Sequence, residues 1–500
     1  MHRTMRPGRS RPAPRWLAAL VPAVILACAR GSDSDAQTVS AREAGRGAAP
    51  QVAPPGGLVE RLRAAPRSSS PHWPHARFHI SDFRISYQDE AVQRGEFAWT
   101  AAHFDRVILD FGDKGSVPHY RRLNPAARIF RYALEWTMIQ PGELNREYPA
   151  TAYYADMRAW YAKHPQYTLE NAFLHDANIC PRPAAPTEGC RVAPRIWNQK
   201  RWAMNPGDAG LRAYHKDRLR GLASDADGIF LDEHGAWDME DALMKKWRLR
   251  EYPEWGAYRR DVTALLAEIR GALAPTRQLL INTAKSVEPW DLEMARAAGG
   301  TEAEHANAVG SPRMEERWTF IERALAAGAL VELVSDLRMP DGFTRGSSAT
   351  PEDRRNLFQL ASYYLVVPSP PDLLGFGPGT KFDQPFERLW FPAAEVNVGR
   401  PLGARRVLAE GRARDGKPYR VWARDFEHAL VVVRPAVGDD EAFGDAGAVG
   451  VSLPAGEPLF PLDAGARLGP SADRLALRPG EGAVLVRAAP RGDQPRGDQP

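Results

Sequence analysis

From about residue 75 to 398 the chain alternates two patterns of hydrophobic and polar positions. Short apolar or β-branched runs, each closing on a polar residue, read as strands over Arg77–Phe83, Arg106–Phe111, Ala127–Leu134, Glu170–His175, Gly228–Leu231, Gln278–Asn282, Thr301–Glu304, Leu330–Ser335 and Asp372–Phe376. Between them, apolar residues at helical spacing predict helices over Thr151–His164, Ala209–Ala223, Trp255–Leu273, Arg313–Ala327 and Pro351–Val366. The last has Pro351 at its first helical position and acids in its first turn. Strand runs alternating with helices imply βα units and a parallel sheet. The expected fold class is α/β, a (β/α)8 TIM barrel over 73–397. Nine candidate strands compete for eight places, and one of the early ones, near residue 170, is either peripheral or replaces another.

After about residue 398 the helical period stops. Runs at Tyr419–Arg424, Ala429–Arg434, Val449–Leu453 and Gly482–Val486 alternate with Gly, Pro and Asp turns, which predicts a small C-terminal antiparallel β domain over 398–488. The ends lack any apolar period. Residues 29–72 are rich in Ala, Gly, Pro, Ser and Arg and read as a disordered tether, and 489–500 as a disordered tail with a repeated RGDQP.

Residues 1–28 read as an export signal. Five arginines up to Arg15 precede an apolar run, Trp16 to Ala27, too short to span a bilayer. The run ends Ile25-Leu26-Ala27-Cys28, which resembles a lipoprotein cleavage box with lipidation at Cys28. The expected location is therefore the cell envelope or the outside, with membrane contact only through such an anchor. In an oxidising compartment Cys180 and Cys190, in a Pro-rich loop, form a plausible disulfide, and free thiols are the alternative. Lys and Arg total 66 against 62 Asp and Glu, with much of the basic excess near the N-terminus, so composition makes no electrostatic case for nucleic acid.

In a parallel barrel the chemistry sits at the carboxyl ends of the strands. The clearest such segment is DGIFLDEHG, where three apolar residues lead into Asp232, with Glu233 and His234 after it. The next is TEAEHA, where alternation puts Glu302 and Glu304 on one side and Glu304 nearer the mouth; His305 follows. Glycoside hydrolysis needs two carboxyl groups about the scissile bond, and Asp232 with Glu304 would meet that need. Asp82, Asp110, Glu135, Trp136, His175, Asp176, Asn282 and Asp336 end other apolar runs and are candidates to line a substrate pocket, though each alone is more often a turn or cap residue. Trp136, Trp197, Trp237 and Trp390 are candidate sugar platforms, with core packing as the ordinary use. Metal catalysis is disfavoured: there is no HxH near the first strand and no HExxH. No phosphate loop follows a strand and no GxSxG elbow occurs, so no cofactor is expected.

The segments DGIFLDEHG, TEAEHA and YRVWARDFEHALVVVRP…LRPGEGAVLV together resemble the hypothetical glycosyl hydrolase families related to the α-galactosidase superfamily, most nearly the one numbered fifteen, over roughly residues 75 to 487. The resemblance implies a (β/α)8 barrel followed by an antiparallel β domain. It also implies a nucleophile after the fourth strand and an acid/base after the sixth, roles that fall on Asp232 and Glu304, with Glu233 competing for the first. The expected activity is glycoside hydrolysis of an envelope or extracellular polysaccharide or oligosaccharide. A non-catalytic glycan-binding lipoprotein and a metal-dependent hydrolase are the alternatives.

Overall fold

The computed structural model describes residues 51–63, 75–82, 90–109, 116–133, 137–140, 150–196, 199–232, 246–273, 275–283, 287–304, 313–335, 351–378, 390–436 and 443–489. In chain order the barrel begins after a short helix α1 (Leu58–Leu62) with β1 (His79–Asp82), α2 (Glu90–His103), β2 (Arg106–Leu109), α3 (Ser116–Leu123) and β3 (Arg128–Ala133). An excursion follows, with β4 (Thr137–Ile139), α4 (Ala150–Lys163), β5 (Arg195–Ile196) and β6 (Gln199–Ala203). The βα alternation resumes with α5 (Ala209–Leu222), β7 (Gly228–Leu231), α6 (Trp255–Leu273), β8 (Gln278–Asn282) and α7 (Pro289–Ala298). It ends with β9 (Gly300–Glu304), α8 (Met314–Ala326), β10 (Leu330–Ser335), α9 (Pro351–Val366) and β11 (Leu374–Pro378).

Eight strands form one parallel sheet in the order β1-β2-β3-β7-β8-β9-β10-β11. A parallel bridge between Phe78 and Phe376 joins its two edges, so the sheet closes as a TIM barrel. Stepping through registered partners once around the sheet returns to the starting strand eight residues earlier. Each strand is therefore staggered by one residue on its neighbour, the shear expected of this fold. The helices bury one stripe each against the outside. In α6 that stripe is Tyr258, Val262, Leu265, Leu266, Ile269 and Leu273, spacing that only a helix places on one face. Helix α7 starts with a capping box between Glu288 and Asp291 and stops at Gly299, whose φ of 84° is the left-handed conformation glycine adopts without strain.

Inside the barrel, large and absent side chains alternate. Ile108, Phe130, Tyr132, Phe230, Leu280 and Leu330 form an apolar cluster there. Below the mouth a charged pair is enclosed: Arg106 Nη1 donates to Glu332 Oε1 at 2.6 Å, with the two side chains 3% and 1% exposed. His79 Nδ1 lies 3.2 Å from Glu332 Oε2. Burial, with Arg106 adding, pushes His79 down to about 3, so the ring is neutral. Burial pushes the Glu332 carboxyl up, and Arg106 opposes it. Gly375 makes room for the pair: a Cβ there would stand 1.7 Å from Glu332 Oε2 and 2.9 Å from Arg106 Nη1.

The C-terminal strands are β12 (Arg406–Arg412), β13 (Pro418–Asp425), β14 (Ala429–Arg434), β15 (Val449–Ser452), β16 (Leu459–Pro461), β17 (Arg474–Leu477) and β18 (Glu481–Arg487). They make an antiparallel sheet in the order β12-β13-β14-β18-β16 and a two-stranded pair, β15-β17. Val431, Val433, Val484 and Val486 pack with Phe358 and Ala361 of α9 in one core. Arg424 of β13 donates to the carbonyls of Tyr364, Leu365 and Val367, satisfying the end of that helix.

One expectation is corrected. Residues 51–63 are not a tether: Leu58 and Val59 are buried in the main core, Arg63 bridges to Val396, and the Val52 amide donates to Ser471 Oγ at 2.8 Å. Of the nine candidate strands, Glu170–His175 is the peripheral one and not part of the barrel. It holds a 3-10 turn, Leu169–Ala172, followed by isolated bridges from Phe173 to Met204 and from His175 to Arg191. Its neighbour in the excursion is a three-stranded antiparallel sheet, β4-β6-β5. The adjoining loop carries a Cys180–Cys190 disulfide.

Candidate functional site

Asp232 is the residue that follows β7, the fourth strand of the barrel sheet. Its amide donates to the Ala133 carbonyl at 3.0 Å, so the β3–β7 ladder continues through it and the backbone there is held like strand. The carboxylate is half-buried and accepts on both oxygens: the Tyr132 hydroxyl donates to Oδ2 at 2.8 Å, and Asn282 Nδ2 donates to Oδ1 at 2.8 Å. Tyr132 and Asn282 belong to β3 and β8, the strands on either side, and are 3% and 5% exposed. A carboxylate gripped from both sides has one orientation.

The stagger of the sheet identifies what shares its level. Asn282 is registered with Glu302, and Asp232 continues the β7–β8 register to stand opposite Asn282. One residue of stagger per strand then puts position 304, two strands on, at the height of position 232. Glu304 is the last residue of β9, registered with Val334. Positions 232 and 304 thus stand at one height on alternate strands of the sheet. Tyr132 and Asn282 stand on the strands beside and between them. Glu302 sits deeper and is 2% exposed. The hydroxyls of Thr283 and Thr301 pair at 2.7 Å behind β8 and β9.

Sequence reasoning missed Tyr132. Alternation along Arg128–Ala133 was the available signal, since it puts Tyr132 on the axis side with Phe130. Asn282, a candidate to line a pocket, donates its amide to Asp232. His175 and Asp176 are not at the end of a barrel strand, because their segment lies in the excursion. His175 is buried with Nδ1 2.7 Å from Glu251 Oε1 and Nε2 3.0 Å from Glu170 Oε1. Burial alone would lower its pKa, but the two carboxylates together raise it above the ordinary histidine value. Asp176 Oδ1 accepts from the Asn178 amide at 3.0 Å, a turn. Trp390 packs edge-on against Phe78 and Phe104 in the core and is 8% exposed, so it is no sugar platform. Asp82 closes β1, registered with Leu109. Cys28, Asp110, Glu135, Trp136, Trp197, Glu233, His234, Trp237, His305 and Asp336 lie outside the described residues. Among the described residues no group of three His, Cys, Asp or Glu converges as a metal site.

The GH36 α-galactosidase AgaA of Geobacillus stearothermophilus superposes on this chain with a TM-score of 0.40 at 12% identity, over 83% of this chain and 56% of that one. The chain thus spans little more than half the length of that enzyme. An α-amylase from Malbranchea cinnamomea gives 0.42 at 10% identity, covering 84% and 97% of the two chains. Eubacterium rectale Amy13B gives 0.45 at 8%, covering 86% and 98%. No curated protein sequence matches. The profile of one family matches residues 145–430, more than half of the chain and a span that holds both Asp232 and Glu304. The chain belongs to hypothetical glycosyl hydrolase family 15.

Proposed function

We propose that the protein hydrolyses glycosidic bonds of a polysaccharide or oligosaccharide with Asp232 and Glu304 as its two carboxyl groups. In the proposed reaction Asp232 attacks the anomeric carbon while Glu304 protonates the leaving oxygen. Water activated by Glu304 then releases the sugar from the Asp232 ester. The observation that carries the reading is the grip on Asp232, a strand-end carboxylate held on both oxygens from the two flanking strands. Preorganisation of that kind suits a group that must meet a reacting carbon in one geometry. Export through residues 1–28, with a lipid on Cys28, belongs to the same proposal and would bring the enzyme to envelope or extracellular glycans.

The test is hydrolysis of a broad glycan panel by wild type, Asp232→Asn and Glu304→Gln. The expected outcome is cleavage by wild type and a loss of about 10³-fold or more in each variant. Unchanged activity in both variants would overturn the site. A wild type that binds glycans yet cleaves none would leave a binding protein on a hydrolase barrel. Incorporation of labelled lipid by the wild type and none by Cys28→Ser is expected for the anchor.

A further inference from the structure

A cleft of about 590 Å³ lies between the disulfide loop and the segment that precedes α6. Its lining includes Arg182, Arg248, Arg250, Trp247 and Tyr252. One wall belongs to the connection after β3 and the other to the connection after β7. Both are therefore βα connections, which in a barrel gather at the carboxyl ends of the strands, the end that carries Asp232. The walls are tied together: the Arg250 amide donates to the His175 carbonyl, the Ala177 amide to the Arg248 carbonyl, and Glu251 holds His175.

The charge of this cleft is one-sided. No acidic residue lines it among the described residues. Arg182 and Arg250 donate to main-chain carbonyls, those of Arg250 and Cys180, each at 3.3 Å. None of the three guanidinium groups meets a carboxylate among the described residues. Several arginines elsewhere are matched, as in Arg121 with Asp227, Arg212 with Glu268 and Arg420 with Glu315, while Arg277 and Arg424 donate to main-chain carbonyls. Lys246, next in the chain to this lining, holds its ammonium 4.7 Å over the Trp247 ring. Glu251, the acid within this stretch of chain, is turned to His175 and does not neutralise them. Guanidinium forks suit planar anionic groups, and an indole beside them suits a sugar ring.

We propose that this cleft is a subsite for an acidic polysaccharide, one bearing carboxylate or sulfate groups, lying across the same face as Asp232. This deepens the hydrolase reading and rests on it for the saccharide, while the charge preference stands on the cleft alone. The test is binding by the full chain carrying Asp232→Asn, so that no ligand is consumed. The probes are polygalacturonate, dextran sulfate, neutral dextran and single-stranded DNA, each at low and high salt.

The expected result is binding of polygalacturonate or dextran sulfate that weakens with salt, with neutral dextran bound at least about tenfold more weakly. Which of the two binds more tightly identifies carboxylate or sulfate as the recognised group. Arg248→Gln should weaken that binding about tenfold, and the triple change with Arg182→Gln and Arg250→Gln should abolish it, at unchanged melting temperature. Arg248→Gln alone keeps the test informative if the triple variant fails to fold. Equal binding of neutral dextran, equal binding of DNA, or undiminished binding by Arg248→Gln would each overturn the proposal. Hydrolysis of neutral glycans without acidic-glycan binding would overturn the subsite and leave the hydrolase reading intact. Acidic-glycan binding by a chain that cleaves nothing would do the reverse.

Discussion

Glu332→Met in the barrel interior is expected to destabilise the protein severely while leaving the mouth of the barrel untouched. The pair it breaks is among the most enclosed charge contacts described, with Arg106 3% and Glu332 1% exposed at 2.6 Å. Arginine does not deprotonate in a protein, so the variant leaves a buried guanidinium whose remaining acceptor is the main-chain carbonyl of Asp372. Removing one partner of a buried ion pair costs about 3–5 kcal/mol, and the surviving bond to Asp372 argues for the lower half of that range. Methionine is near glutamate in volume, so little of the loss should come from a cavity. Replacing both partners, Arg106→Met with Glu332→Met, removes the stranded charge and should recover most of the loss. Urea unfolding followed by tryptophan fluorescence gives the four corners of a double-mutant cycle. Asp232→Asn, a near-isosteric change at a half-buried position, should move the same curve by less than about 1 kcal/mol. The reasoning is refuted if Glu332→Met costs less than about 1 kcal/mol, or if the double variant is as unstable as the single one.

Tyr132→Phe removes one of the two donors to Asp232 and should lower kcat/KM on a cleaved glycan about five- to thirtyfold, with melting nearly unchanged. A loss seen only in thermal stability would mean the phenol is a core group and no more. The His175 clamp predicts a pH dependence. Because its folded pKa is raised, its contribution is fully present below the ordinary histidine value of 6.5 and is lost as pH rises through the raised value. Glu170 runs the other way: burial would raise it, but Arg191 and His175 hold it down to about 2. Its contribution is present above 4.5 and lost as pH falls toward 2. Melting temperatures across pH for wild type and His175→Gln should converge in the alkaline range, and parallel curves would contradict the clamp. Cys180 and Cys190 are ten residues apart, so reducing their bond should cost about 3 kcal/mol at most. A Cys180→Ser variant that melts with wild type under oxidising conditions would show that the loop is held by its other contacts.

Much of this molecule is written locally. The continuous apolar run Gly228–Leu231 and the alternation of Thr301–Glu304 are local signals, readable without any partner, and they mark strands whose ends carry acids. The helical stripe of Trp255–Leu273 is as local, and its bounds are those the spacing predicts. Three barrel helices, Glu90–His103, Ser116–Leu123 and Pro289–Ala298, escaped the pattern. They are short or open on Pro or polar residues, which weakens a periodic signal.

What tertiary structure alone decided is which strands stand together and at what height. Glu170–His175 has strand-like composition but no barrel neighbour, because β3 pairs directly with β7 and closes it out. Tyr132 meets Asp232 across 100 residues, and Arg106 meets Glu332 across 226. Neither distance is legible in a window of a dozen residues. The pairing of level between positions 232 and 304 follows from one residue of stagger per strand, which is a property of closing eight strands and of no one of them. The sequence by itself determined that Asp232 ends a strand; closure of the barrel determined that Tyr132 and Asn282 would grip it and that position 304 would stand at its height.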